Sequence, residues 1–207
     1  MTPEQQKFYD IKKTTDYETV GEDIDYKVFV DHEKKEVVLQ FEESDSREDW
    51  KHNLQFLPWP IKLGKKIVWT TRGYACAYKS ANDIPRSQLI TAWTRNYKYK
   101  ICIRGWSFGS AMAKITARNM EAIGWTIDEL TTYGDVKCWL NPFYKAKHVA
   151  RLREYTTAND LVTWCVPLFH REKKCQVGPR FRLKEAVHSE KYHTHYEDYD
   201  YSEWEEA

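Results

Sequence analysis

The fold of this chain is decided by residues 101–111, which read Ile101-Cys102-Ile103-Arg104-Gly105-Trp106-Ser107-Phe108-Gly109-Ser110-Ala111. The aromatic and β-branched residues from Tyr97 to Ile103 predict a strand that leads into this stretch. The pattern G-x-S-x-G from Gly105 to Gly109 permits a sharp turn, which lifts the hydroxyl of Ser107 above the sheet. Apolar residues then recur at helical spacing until Gly124, where we expect the helix to end. The order of strand, tight turn and helix is typical of a nucleophilic serine.

Strands and helices alternate on both sides of this stretch. We predict a hairpin of strands at Asp25–Val30 and Val37–Phe41, a short helix and an apolar loop at Ser44–Lys66, a helix at Asp83–Arg95, and strands at Ile127–Tyr133 and Val149–Tyr155. Such alternation implies a mainly parallel, buried sheet. The predicted fold class is therefore α/β, with a mainly parallel central sheet flanked by helices and an N-terminal antiparallel hairpin.

Composition and charge exclude several classes of function. The chain has 207 residues, of which 42% are hydrophobic and 15% aromatic, and this suffices for one compact domain over residues 1–207. Its 32 basic and 31 acidic side chains give a formal net charge of +1, which provides no field for binding nucleic acid. No stretch is apolar enough to span a bilayer, and the N-terminus lacks the pattern of a signal peptide. We therefore predict a cytoplasmic protein.

The cysteines predict free thiols rather than disulfides or a zinc site. They are odd in number and widely spaced, at Cys76, Cys102, Cys138, Cys165 and Cys175. Such spacing suits neither a disulfide framework nor the paired C-x-x-C of structural zinc. We expect no metal and no organic cofactor, because a serine nucleophile with a histidine base requires neither.

Two aspartates are placed to orient a histidine base for Ser107. In folds with this turn the chain order is serine, acid, histidine. Asp160 lies just after a predicted strand, where loops gather at the carboxyl edge of a parallel sheet. Asp135 follows Gly134 at the same edge and is the second candidate. Asp128 lies at the start of a strand, hence at the opposite edge, so we predict Asp160 as the acid.

Four histidines in the C-terminal part of the chain are available to take the proton of Ser107. They are His170, His188, His193 and His195. The last three lie within one short stretch after Asp160, and the order serine, acid, histidine suits each of them. The residues alone leave the identity of the base open.

Several stretches of the chain resemble the fungal-type, or class 3, triacylglycerol lipases. The resemblance runs from Tyr26 to about Tyr196, and residues 101–111 are similar to the family's strand-G-H-S-L-G-G-A turn, with Trp106 at the place of the histidine. The other similar stretches are Phe41–Trp50 (family F-R-G-T-x-S-x-x-D-W), Gly73–Ser80 (H-x-G-F/Y-x-x-A-Y), Thr132–Asp135 (T-F-G-x-P), Asn159–Pro167 (N-x-D-x-V-x-x-x-P) and His193–Tyr196 (H-x-x-Y). The resemblance implies an α/β-hydrolase fold and a carboxylic-ester hydrolase.

The resemblance also implies catalytic roles. Asp160 matches the family's catalytic acid, and His193 matches its histidine in H-x-x-Y, so His193 ranks first as base, His195 second and His188 third. Ser44 takes the place of the family's oxyanion threonine. Its backbone N–H and hydroxyl, together with the N–H of Phe108, are thereby expected to hold the oxyanion.

A lid segment and a substrate class follow from the same resemblance. Residues 45–66 correspond to the lid region of such lipases, whereas residues 197–207, beyond the resemblance, are an acidic aromatic tail by their composition. The implied partner is a lipid or small ester, such as an acylglycerol or phospholipid, with transient contact to lipid aggregates. No nucleic acid is expected as a partner.

Overall fold

A mixed sheet organises the molecule, a computed structural model of which describes residues 1–22, 24–42, 55–141, 147–166, 168–172, 175–177 and 189–202. Its strands are β1 (Glu18–Val20), β2 (Ile24–Asp31), β3 (Glu36–Phe41), β4 (Pro58–Leu63), β5 (Lys66–Thr71), β6 (Lys100–Trp106), β7 (Glu129–Tyr133), β8 (Leu152–Thr156) and β9 (Cys175–Gln176). Seven of these described strands form one sheet in the order β1-β2-β3-β6-β7-β8-β9. The pairs β1/β2 and β2/β3 are antiparallel, and the later neighbours are parallel. The predicted fold class is confirmed.

Helices accompany the strands along the chain. They are α1 (Pro3–Lys13), α2 (Arg72–Ser80), α3 (Ile84–Arg95), α4 (Phe108–Ala122) and α5 (Ser189–Thr194), with 3-10 turns at Leu161–Trp164 and Tyr196–Asp198. The two helices predicted around the serine turn are present as α3 and α4. Strand β6 begins at Lys100, later than predicted, because Tyr99 still closes a turn on Asn96 through a 3.0 Å backbone hydrogen bond. None of the described helices combines the length and hydropathy that crossing a membrane requires.

Two buried clusters divide the side chains of the central strands between them. Successive side chains of a strand point to opposite faces of a sheet, and β6 accordingly contributes Ile101 and Ile103 to one cluster and Trp106 to the other. The larger cluster packs apolar residues of α2, α3 and α4 against β3 and β6. The smaller one, called here the aromatic cluster, comprises Phe8, Ile11, Trp106, Tyr133, Tyr155, Val177, Tyr196 and Tyr201.

Helix α1 packs on the aromatic cluster. It begins at a capping box, in which Gln5 N donates to Thr2 Oγ1 at 3.2 Å and Thr2 N donates to Gln5 Oε1 at 2.6 Å. Phe8 and Ile11 are one helical turn apart and fully buried, so a single face of the helix meets the cluster. The sequence analysis placed no element here. The Thr-Pro-x-Gln start with Pro3 at the first helical position is the signal that indicates it.

Residues 58–71 form a β-hairpin, which corrects the short helix and apolar loop predicted for Ser44–Lys66. The turn between β4 and β5 contains Gly64 at φ +56°, the left-handed conformation that tight hairpin turns require. Strands β4 and β5 form a separate two-stranded sheet, in which both strands are edges. An edge strand tolerates prolines, so Pro58 and Pro60 are compatible with β4. Prolines there exclude a helix but not an extended edge. The first half of the predicted stretch, residues 44–54, lies outside the described residues.

Candidate active site

Ser107 lies at a strained turn between β6 and α4. Its φ of 54° and ψ of −122° are rarely adopted by a residue with a side chain, and such conformations cost roughly 1–3 kcal/mol. The backbone N–H of Ser107 donates to the carbonyl oxygen of Tyr133 on the neighbouring strand β7 at 3.0 Å. A Cβ on Gly109 would lie 2.3 Å from the carbonyl oxygen of Glu42, so α4 approaches the end of β3 this closely only with glycine there. The turn holds the serine at the carboxyl edge of the parallel strands.

The side chains of Ser107, His193 and Asp160 form a continuous line of short contacts. His193 Nε2 is 2.6 Å from Ser107 Oγ, and His193 Nδ1 is 2.7 Å from Asp160 Oδ2. All three side chains are buried. A serine nucleophile, a general base and an orienting acid make contacts of this kind. The structure thus brings together the three residues that the sequence ranks first for these roles.

The carboxylate of Asp160 accepts further hydrogen bonds at both oxygens. Val162 N donates to Oδ1 at 3.0 Å, and Tyr196 Oη donates to Oδ2 at 3.0 Å. Burial, followed by the charge of Asp160, raises the pKa of Tyr196 well above its usual value. The phenol therefore stays protonated and remains a donor, and the carboxylate is fixed in one orientation.

Two donors from distant parts of the chain hold the backbone around His193. Trp106 Nε1 donates to the carbonyl oxygen of His193 at 3.0 Å. Lys12 Nζ, at the end of α1, donates to the carbonyl oxygen of Thr194 at 2.8 Å. The short helix α5 that carries His193 is thus tied both to the serine turn and to the N-terminal helix.

The other candidate acids are engaged elsewhere. Asp135 Oδ1 is 2.8 Å from Lys114 Nζ and accepts from Thr132 Oγ1 at 2.8 Å, and the whole side chain is buried. Asp128 Oδ2 accepts from the backbone N–H of Ile101 at 2.8 Å, at the amino edge of the parallel strands. The structure does not join either carboxylate to His193 among the described contacts.

Of the other candidate bases, His195 and His170 lie among the described residues, and their described contacts are with residues other than Ser107. His195 Nδ1 is 2.8 Å from Thr194 Oγ1, and its side chain is half-buried. His170 is exposed and pairs through its backbone with Trp139. His188 lies outside the described residues.

Of the two candidate oxyanion donors, one can be described. Phe108 is the first residue of α4, and the N–H groups of a helix's first turn have no acceptor within the helix. Ser44 lies outside the described residues. Glu42, the last described residue before it, touches the serine turn through the close approach of its carbonyl oxygen to Gly109. Burial, and to a smaller extent the charge of Glu42, raises the pKa of Tyr17.

A buried ion cluster lies beside the site. Lys114 Nζ is 2.8 Å from Asp135 Oδ1 and 3.8 Å from Glu154 Oε1. Burial alone lowers the pKa of Lys114, but the charges of Asp135 and Glu154 outweigh it and hold that pKa above its usual value. Burial and then the charge of Glu154 raise the pKa of Glu172 well above its usual value. Among the described residues, no three His, Cys, Asp or Glu side chains converge as a metal site.

Three residues that shape the site have no role that the sequence predicts. Trp106 Nε1 donates to the backbone carbonyl oxygen of His193, and Tyr196 Oη donates to the carboxylate of Asp160. Gly134 has φ +53°, and a Cβ there would lie 2.8 Å from His193 Cε1. All three occur inside stretches that resemble family motifs, so their positions carried a signal, but the sequence does not reveal which atoms they contact.

Comparison with known proteins identifies similar sequences and folds. The sequence model of the family described as Lipase (class 3) matches residues 38–169. A fungal lipase–inhibitor complex is similar at a TM-score of 0.68 and 18% identity, covering 77% of this chain and 63% of that one. The Rhizomucor miehei lipase–propeptide complex gives 0.62 and 18%, covering 75% and 53%. The mono- and diacylglycerol lipase from Aspergillus oryzae gives 0.62 and 20%, covering 82% and 62%.

These likenesses differ in what they establish. At such identities the solved structures share the fold with this chain. The chain spans less than two-thirds of the length of each of these three proteins. No curated protein matches the sequence.

Proposed function

Because the chain belongs to the class 3 lipase family, whose sequence model matches more than half of it, we propose that it is a serine carboxylic-ester hydrolase. The observation that carries this proposal is the line of contacts from Ser107 through His193 to Asp160, at 2.6 Å and 2.7 Å. In it Ser107 is the nucleophile, His193 the general base and Asp160 the acid that orients the base.

The reaction proceeds through an acyl-enzyme. With the Nδ1 proton directed at Asp160, Nε2 of His193 takes the proton of Ser107 as Oγ attacks the ester carbonyl carbon. The tetrahedral intermediate collapses when the imidazolium returns that proton to the leaving alcohol, and Ser107 keeps the acyl group. Water then attacks the acyl-enzyme with His193 again as base, which releases the carboxylic acid and restores the serine.

The proposed oxyanion donors are the N–H of Phe108 and the N–H and hydroxyl of Ser44. The N–H of Phe108 is at the N-terminus of α4, where the helix dipole also favours negative charge. For Ser44, support comes from Glu42, which touches the serine turn. Ser44 is two residues further on, within a span of about 7 Å.

The proposed substrates are acyl esters of lipids, either acylglycerols or phospholipids. Family membership supports a lipid ester, and the similar protein from Aspergillus oryzae is named a mono- and diacylglycerol lipase. The lid at residues 45–66 remains a prediction from the resemblance. With the lid we also propose transient contact with lipid aggregates. The test is to measure the hydrolysis rate below and above the concentration at which the substrate aggregates. A rate that ignores aggregation indicates an esterase without interfacial behaviour.

A fluorophosphonate probe tests the proposed chemistry directly. We expect one adduct on Ser107 by mass spectrometry, hydrolysis of p-nitrophenyl esters of two chain lengths, and loss of both in Ser107→Ala and His193→Ala. If His195→Ala or His188→Ala abolishes labelling while His193→Ala retains it, the assignment of the base is wrong. A folded wild type that neither labels nor hydrolyses either ester contradicts the enzyme proposal and leaves a binding protein with a lipase fold.

A further inference from the structure

Trp106, the residue before the proposed nucleophile, contacts the backbone and the ring of the proposed base. Its indole N–H donates to the carbonyl oxygen of His193 at 3.0 Å, and the two rings lie 6.1 Å apart. The side chain is 6% exposed, so little of it can reach a substrate. A Cβ on Gly134 would also lie 3.4 Å from Trp106 Cδ1, which means that the indole, the imidazole and this glycine pack tightly together.

Helix α1 also contacts the indole. The ring of Phe8 meets the Trp106 ring edge to face, with centroids 5.2 Å apart, and it also lies 5.6 Å from the ring of Tyr196. Phe8 is fully buried. One residue of the N-terminal helix therefore contacts both the donor to the base's backbone and the donor to the acid.

We propose that Trp106 is a positioning residue for the general base and that Phe8 of α1 fixes its indole. The inference rests on the proposed function, because the residue that Trp106 positions is His193, the proposed general base. Helix α5 has only six residues, and so short a helix is marginally stable without contacts from outside it. The indole N–H supplies such a contact within one residue of Ser107 and thereby couples the position of the base to the position of the nucleophile.

The test replaces Trp106 by phenylalanine, which keeps an aromatic ring and removes the N–H. Trp93→Phe is the matched control, because Trp93 Nε1 donates to the carbonyl oxygen of Tyr99 at 2.9 Å, away from the serine turn. Both variants lose an indole-to-carbonyl hydrogen bond, so a general loss of stability appears in both. The measurements are the rate of fluorophosphonate labelling, kcat and KM for a short soluble ester, and the midpoint of thermal unfolding.

We expect Trp106→Phe to lower kcat and the labelling rate by about 10- to 100-fold, with KM changed less than about twofold, because a small displacement of a catalytic group has effects of this size. Trp93→Phe should retain the wild-type values. Equal kcat in the two variants overturns the inference while leaving the proposed function intact. A rise in KM alone overturns it as well, since it would place Trp106 against the substrate. If Ser107 of the wild type does not label, the proposed function fails first.

A second pair of variants tests the part assigned to α1. Phe8→Leu removes the ring edge on Trp106 but keeps an apolar side chain, and Ile11→Val trims the neighbouring buried residue of the same helix face. We expect kcat to fall several-fold in Phe8→Leu and to stay within about twofold of wild type in Ile11→Val at temperatures where both are folded. Equal values for the pair contradict the role of Phe8, even if Trp106→Phe fails to fold.

Discussion

The phenol of Tyr196 donates a hydrogen bond of 3.0 Å to Oδ2 of Asp160, the same oxygen that faces the proposed base. Tyr196→Phe removes that donor and keeps the ring in the aromatic cluster. We expect kcat to fall about 10-fold, because a hydrogen bond to a charged group contributes about 1.5–3 kcal/mol and its loss frees the carboxylate to rotate. Steady-state kinetics on a soluble ester measure the effect.

The control for this variant is Tyr26→Phe. The Tyr26 hydroxyl also donates to a carboxylate, Glu18 Oε2, at 2.8 Å, but on the outer strands of the sheet. It should lose stability without losing kcat. A Tyr196→Phe enzyme as active as Tyr26→Phe would mean that Asp160 needs no second donor.

Gly134 leaves the space that the His193 ring occupies. Gly134→Ala adds a Cβ 2.8 Å from His193 Cε1, and we expect at least a 100-fold loss of kcat/KM because the imidazole must move. Gly124→Ala is the matched control, since Gly124 also has positive φ, +95°, but its added Cβ meets nothing within 4 Å. Both variants carry the backbone strain, and only the first should lose activity; comparable losses would assign the effect to strain.

Glu172 predicts a pH dependence of stability with a defined sign. Its pKa in the folded protein lies above the value of about 4.3 for an unfolded chain, so the folded state loses stability as pH rises from there through the folded pKa. In the wild type, Trp139 Nε1 donates to Glu172 Oε1 at 2.8 Å. The glutamine of Glu172→Gln cannot ionise, but its amide oxygen can still accept this hydrogen bond. The variant's free energy of unfolding should therefore increase relative to wild type between pH 5 and pH 8.

Urea unfolding at several pH values in this range measures the difference. Glu33→Gln, at an exposed position, serves as the control for replacing a glutamate by glutamine. If the difference between Glu172→Gln and wild type stayed constant with pH, Glu172 would ionise with the same pKa in the folded and unfolded states.

Ser44→Ala tests the proposed second oxyanion donor. The variant keeps the backbone N–H and removes the hydroxyl, and we expect kcat to fall about 100-fold, as loss of one such donor does elsewhere. KM should change little, because the charge develops only in the transition state. Ser46→Ala, two residues along the same stretch, is the control. If both serine variants retain wild-type kcat, the hydroxyl of Ser44 has no part in the reaction.

Most of the sheet and the serine turn were predictable from local sequence. The hairpin of β2 and β3, the helices α3 and α4, and the turn at Gly105–Gly109 each follow from patterns within one short segment. The serine turn and the chain order pointed to Ser107 and Asp160, and the family motif H-x-x-Y ranked His193 first among the histidines. The sequence does not give their mutual distances, because Asp160 follows strand β8 and His193 lies on the separate helix α5, and only the fold brings both to Ser107.

The contacts that failed to appear in the sequence analysis are all long-range. The sequence carries a capping signal for helix α1, but the contacts of Phe8 on this helix with Trp106 and Tyr196 appear only in the folded structure. Strand β4 is not predicted because Pro58 and Pro60 exclude a long regular helix and leave a loop as the simpler interpretation, whereas the edge of a sheet tolerates both prolines. The residue pattern of one segment does not show whether a strand formed there would lie at the edge of a sheet, because that depends on which other strands pair with it.

The contact between Phe8 and Tyr196 joins the two ends of the described chain, with ring centroids 5.6 Å apart. On the ribosome, α1 is made before the segment around His193 and must wait for that segment to leave the exit tunnel. Until then the nascent chain carries Ser107 without the proposed base, and the contact is expected to form slowly because its two residues are far apart in the sequence. Activity is therefore expected to begin only after synthesis has passed the last support of the site, and a chain released earlier would be folded in part and inert.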